Sequence, residues 1–168
     1  MPSRNIARCH WRIQATFPKA CAEWARLYPT EAQPMFDCGV RTGAEQNATF
    51  AQGRQPLAAI NKLRAAQGMY LLGAAEAART VSWSQAGQSP HNYEPSFAFD
   101  VAFVKDRKAV WSNNSLFSRF AKILRAIDSQ LTWGGDWNRD GREDTVKTDR
   151  PHFEVYGWRT VLATAKPV

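Results

Sequence analysis

The chain has 168 residues, 44% hydrophobic and 22% charged, with a formal net charge of +7. That balance excludes a disordered chain and suits one domain over residues 1–168 with a core of its own. The basic surplus favours polyanions, among them nucleic acid, anionic lipid and acidic wall polymers, and does not choose between them. The three cysteines, Cys9, Cys21 and Cys38, form no C-x-x-C pair, which excludes a cysteine zinc cluster or a disulfide framework and leaves buried thiols in a reducing compartment.

The start, MPSRNIARCHWRIQ, carries no apolar run of the signal-peptide kind, and no stretch reaches the ~20 apolar residues that span a bilayer. The expected place of synthesis and storage is therefore the cytoplasm. His10 reads as a surface residue, and Arg4, Arg8, Arg12 and Lys19 as a solvated basic face. A helix is expected from about Pro18 to Tyr28, with Cys21, Trp24, Ala25 and Tyr28 on one stripe. Pro29 and Pro34 bracket a turn, and Met35 to Val40 suits a strand. Thr42 with Glu45 three residues on forms a capping box for a helix that stops near Gly53. Pro56 opens another helix that ends near Gly68. Residues 69–88 read as a surface excursion.

Phe97 to Val104 is apolar almost throughout and reads as a strand, with Asp100 embedded in it. A helix opens at Asn114 or Ser115 and turns Leu116, Phe117, Phe120, Ile123, Leu124 and Ile127 to the core. Leu131–Trp133 and His152–Tyr156 are short strands on either side of a Gly- and Asp-rich loop. The alternation predicts an α+β fold, a small antiparallel sheet with packed helices.

Two of the chain's three histidines stand near carboxylates, His91 before Asp100 and His152 after Asp149. Two imidazoles and one carboxylate make a three-ligand zinc site with an open fourth position, and a further carboxylate can act as base. Spacing alone leaves this open against ordinary packed or hydrogen-bonded side chains.

The residues around them add to the pattern. SPHNYEPSFAFD resembles the S-x-H-N-x…A-x-D motif of the zinc D-alanyl-D-alanine and L-alanyl-D-glutamate peptidase superfamily. WGGDW followed by DRPHFE resembles its second motif, and GVRTGAEQNATFAQGR its R-[ST]-x-x-E-Q element. Trp24, Tyr28 and Pro29 match the end of its first helix. The match runs in order over residues 15–158, and is nearest to phage endolysins that cut the L-Ala–D-Glu bond of peptidoglycan.

That resemblance implies a Hedgehog/D,D-peptidase-like fold, with His91, Asp100 and His152 as zinc ligands and Asp149 as the catalytic carboxylate. It implies Arg41 on substrate or oxyanion, and Gln46 and Ser89 along the cleft. Trp137 is a further candidate for substrate contact, while Trp133 reads as core. The sequence departs from the commoner pattern in having eight residues, rather than six, between His91 and Asp100, and in the long stretch 54–88.

The loop from Asp136 also carries a calcium pattern, D-x-N-x-D-G. Asp136, Asn138 and Asp140 are followed by Arg142 at the carbonyl position and Asp144 at the ninth, but Lys147 stands where a bidentate Glu belongs. The alternative is a plain Asp/Asn/Gly turn.

The resulting expectation is a monomeric zinc endopeptidase acting on bacterial peptidoglycan. It would bind no nucleic acid and insert in no membrane, and would be held in the host bacterial cytoplasm until released to the periplasmic wall for host lysis. A D,D-carboxypeptidase or dipeptidase with the same zinc site, and a non-catalytic wall-binding virion protein, are the rival readings.

Overall fold

The structure, a computed structural model, describes residues 2–168. The first helix, α1 (Trp11–Leu27), begins seven residues before the expected start, so Pro18 lies inside it. Proline there forfeits one backbone hydrogen bond. The continuous apolar face of Ile13, Phe17, Ala20 and Trp24, all buried, outweighs that loss. Ala25, expected on the buried stripe, faces water.

His10 is not a free surface residue. It caps α1 by accepting from the Arg12 amide, its own amide donates to the Ser96 carbonyl at 2.8 Å, and its ring lies 5.5 Å from that of Phe97. The N-terminal arginines lie at the surface, each with a carboxylate partner. Arg4 pairs with Asp37, Arg8 with Glu94 and Arg12 with Asp128.

After α1 come β1 (Gln33–Cys38), α2 (Gly43–Ala51), α3 (Leu57–Ala66) and a single turn, α4 (Ala74–Ala77). The capping box at Thr42 and Glu45 is present in both directions. The excursion over 69–88 is more than surface loop. Leu72 and Ala77 join Ala51 and Ile60 in a small second core.

A 3₁₀ turn (Pro90–Asn92) leads to β2 (Tyr93–Glu94), then to β3 (Ala98–Lys105), β4 (Lys108–Ala109), α5 (Asn114–Ile127), β5 (Leu131–Trp133), β6 (His152–Val155) and β7 (Lys166–Pro167). The main sheet is antiparallel, ordered β1-β3-β6-β5, with β4 paired to β3; β2 and β7 form a separate pair. In α5 the core face is Leu116, Phe117, Phe120, Ala121 and Leu124. Ile127, in the last turn, is exposed.

Strand alternation separates the sheet's faces. Phe97, Phe99, Val101, Phe103, Leu131, Trp133, Phe153 and Val155 join the core formed with α1 and α5. The residues between them (Asp100, Thr132, His152, Glu154) point the other way. Cys38 pairs in register with Asp100, and Asp100 with His152, so these three form a row across that second face. A bulge in β1 between Phe36 and Cys38 sets this register.

Candidate metal centre

Three chain segments converge on one point of the second face. The 3₁₀ turn is capped by Ser89, whose hydroxyl accepts from the His91 amide, and it delivers His91. Strand β3 delivers Asp100 and β6 delivers His152. His91 Nε2 lies 3.2 Å from His152 Nδ1 and 3.4 Å from Asp100 Oδ1, and the last two atoms are 3.3 Å apart. The eight residues between His91 and Asp100 therefore do bring both side chains together. They fold back through β2, and Ser96 donates its hydroxyl to the Ala98 carbonyl at 2.8 Å.

The second nitrogen of each imidazole has its own partner. His91 Nδ1–H donates to the Gly39 carbonyl at 2.6 Å, which leaves Nε2 as a lone pair. His152 Nε2–H donates to Glu154 at 3.1 Å, which directs Nδ1 toward Asp100. Burial lowers His91, keeping it neutral. Burial also works to lower His152, but its hydrogen bonds to Asp100 and Glu154 prevail and raise it to about 10. Burial works to raise Asp100, but His91, His152 and Arg41 hold it well below the usual carboxylate range. The three donor atoms face one another across a gap that a cation can fill, in competition with the proton His152 otherwise holds.

Zinc fits it. A tetrahedral zinc with bonds of about 2.0–2.1 Å spaces its ligand atoms about 3.3–3.4 Å apart, which is the triangle described above. Hydrogen bonds to the outer nitrogens are what metal-bound imidazoles use to fix ring and tautomer. Cys38 also lies near His91 and Asp100. Its sulfur is 4.0 Å from His91 Nδ1, the nitrogen committed to Gly39. Without metal, burial pushes its thiol up to about 12.

Asp149 lines the same cleft, and burial raises its carboxyl to about 6. Its backbone is seated by Gly134: the Asp149 amide donates to the Gly134 carbonyl at 2.7 Å, and a Cβ at Gly134 would strike the Asp149 carbonyl. The glycine of WGGDW thus sets how close the loop approaches β6.

Arg41 is differently employed from the expectation. One terminal nitrogen donates to Asp100 Oδ2 at 3.1 Å and to the Cys38 sulfur, the other to Gln46 Oε1 at 3.0 Å. Its guanidinium therefore holds the far oxygen of Asp100 and leaves Oδ1 to the histidines. Gln46, expected along the cleft, has no exposed surface; its amide nitrogen donates to Ser82 Oγ and the Ser84 carbonyl. It is a buried strut between Arg41 and the excursion. Ser89 and Trp137 do line the cleft, which measures about 1130 Å³. The Trp137 ring lies 5.5 Å from that of His152, while Trp133 is buried as expected and donates to the Arg150 carbonyl.

The calcium expectation finds no support. Asp136 faces the Arg125 guanidinium at 2.5 Å, so a cation is already in place there; its other oxygen has no protein partner. Asn138, Asp140 and Asp144 turn their oxygens to loop amides, of Asp140, Arg142 and Trp137. The loop is an Asx-rich turn.

Gly39, Cys38 and Gly134 were not singled out by sequence reasoning. Cys38 is found once β1 is registered against Asp100. The Gly39 carbonyl leaves no trace in side-chain chemistry.

No family model matches the chain. Among solved structures, a mutant of the vancomycin resistance D,D-pentapeptidase VanY from a VanB-type resistance cassette, in complex with Zn(II), is similar over 93% of this chain and 78% of that one, at 16% identity and a TM-score of 0.51. The Serratia marcescens L-Ala D-Glu endopeptidase ChiX is similar over 93% of this chain and 86% of that one, at 18% identity and a TM-score of 0.47. The likeness to VanY shows that the fold is of the D,D-peptidase kind.

Proposed function

We propose that the protein is a zinc-dependent peptidase of bacterial peptidoglycan. The observation that carries this reading is the triangle of His91 Nε2, Asp100 Oδ1 and His152 Nδ1, with edges of 3.2–3.4 Å, facing a cleft that also holds Asp149. His91, Asp100 and His152 would hold the metal. When bound, zinc supplies Lewis acidity, lowering the pKa of a coordinated water to about 7 and polarising a carbonyl.

The remaining chemistry belongs to this chain's own groups. Asp149, raised to about 6, is mostly a carboxylate at neutral pH and is still basic enough to take a proton from water and pass it to the leaving amine. Arg41 acts as a positioning residue: it holds Asp100 Oδ2 so that one carboxylate oxygen faces the histidines. Glu154 and the Gly39 carbonyl hold the two rings.

The finer reading is a phage-type endolysin that cuts the L-Ala–D-Glu bond of the stem peptide and reaches the wall from the host cytoplasm on release. The ordered sequence elements around the site favour it. Likeness to VanY, named as a D,D-pentapeptidase, favours a second reading, removal of terminal D-Ala at the same metal. Digestion of purified peptidoglycan with and without chelator, with new termini identified by mass, separates them. New D-Glu amino termini support the lysin, and released D-Ala supports the second reading. A folded, zinc-loaded protein that cleaves nothing rules out both.

A further inference from the structure

The excursion over residues 69–88 adds nothing to the donor triangle, yet it walls the same cleft. Among the described residues four tryptophans are exposed, Trp11, Trp83, Trp111 and Trp137, and the last three all line this cleft. Trp83 is 69% exposed. The backbone on both sides of it is nevertheless pinned. Gln46, wholly buried, donates to Ser82 Oγ at 2.9 Å and to the Ser84 carbonyl at 2.6 Å. Arg54 donates to the Ser82 carbonyl at 2.9 Å, and its guanidinium sits 5.6 Å from the Trp83 ring. Exposed indoles gathered along one cleft, rather than scattered, make a candidate binding surface, and holding the Trp83 backbone still lowers the entropy lost on binding.

We propose that Trp83 is a sugar-stacking platform, which makes the preferred substrate a stem peptide still attached to its glycan strand. The inference rests on the reading of the protein as an L-Ala–D-Glu endopeptidase. An indole offers a broad apolar face with a polar edge, matching the C–H face of a pyranose and its flanking hydroxyls. Beside an L-Ala–D-Glu bond the peptide's side chains are a methyl and a short carboxylate arm, which offer little for an indole face to stack on. L-Ala is joined directly to the lactyl group of the amino sugar, so the glycan lies beside that bond. At about 1130 Å³ the cleft exceeds an ordinary small-molecule pocket and has room for peptide and sugar together.

The test compares zinc-loaded protein acting on N-acetylmuramoyl-peptide and on the free peptide of the same sequence. The wild type is expected to favour the glycan-bearing substrate in kcat/KM. Trp83→Ala is expected to lose roughly tenfold of that preference, about the size of one aromatic contact, and Trp83→Phe to keep most of it. Independently, peptide-free disaccharide of the wall is titrated against intrinsic fluorescence, with a response expected in the wild type and a weaker one in Trp83→Ala. An unchanged preference in Trp83→Ala, or no response to disaccharide, overturns the platform. If neither peptide is cleaved, the peptidase reading fails, and the disaccharide titration alone still decides the platform.

Discussion

The two faces of the one sheet follow opposite rules. On the helix-covered face, Phe99 stacks against Phe36 and Phe153 with ring centroids 5.9 and 5.3 Å apart and meets Phe17 edge-on. On the other face, one residue along the same strand, Asp100 gathers two histidines and an arginine. The first face stabilises the fold by removing apolar surface from water. The second concentrates charge in a buried place, where it is costly unless each group has a partner. A single strand thus holds both, and rigidity on one side supplies the positional accuracy that the other requires.

The sharpest break between the faces is expected from His152→Ala. It removes one donor of the triangle, and zinc affinity should fall by at least about a thousandfold, read by competition with a chelating dye. Retained tight binding would show that these three residues are not the ligands. Phe99→Ala breaks the other face. A fully buried Phe truncated to Ala costs about 3–5 kcal/mol, read as a lower denaturation midpoint. A loss under about 1 kcal/mol would mean that the face tolerates cavities.

A smaller effect is expected at Asp149. Its folded pKa, about 6, lies above the ordinary 3.8. Its contribution to stability is therefore fully present below about pH 4 and is lost as pH rises through about 6. In metal-free protein, Asp149→Asn should thus be more stable than the wild type at pH 7, by about 1–2 kcal/mol, with the difference vanishing near pH 3. Equal stability at both pH values would place the carboxyl in water. The smallest effect concerns the Asp136 loop. With Arg125 already paired to Asp136, millimolar calcium should move the melting temperature by less than about 1 °C. A larger rise would restore the calcium reading.

The core face was the more legible of the two. Apolar letters at every position from Phe97 to Val104 except Asp100, and the spacing of Leu116, Phe117, Phe120 and Leu124, state its structure directly. Helix α1 was misjudged because Pro18 is a strong local breaker, and only the packing of Ile13 and Phe17 overrides it. The site's outline was legible through the ordered motifs around His91, Asp100 and His152. What surrounds it was less so. Arg41 and Gln46 look like substrate contacts as letters; Arg41 lines the cleft and also binds Asp100, and Gln46 binds the 82–84 segment, contacts that depend on a chain reversal no local pattern encodes.

The bulge in β1 carries a consequence for evolution. It leaves the Gly39 carbonyl against His91 Nδ1, so a main-chain atom decides which nitrogen of that ring carries the proton. No side-chain replacement at position 39 removes that oxygen. His152 depends instead on Glu154, a side chain that a single codon change can alter. Drift in metal preference among descendants of this chain should therefore run through position 154, while the His91 half of the centre stays fixed by the backbone.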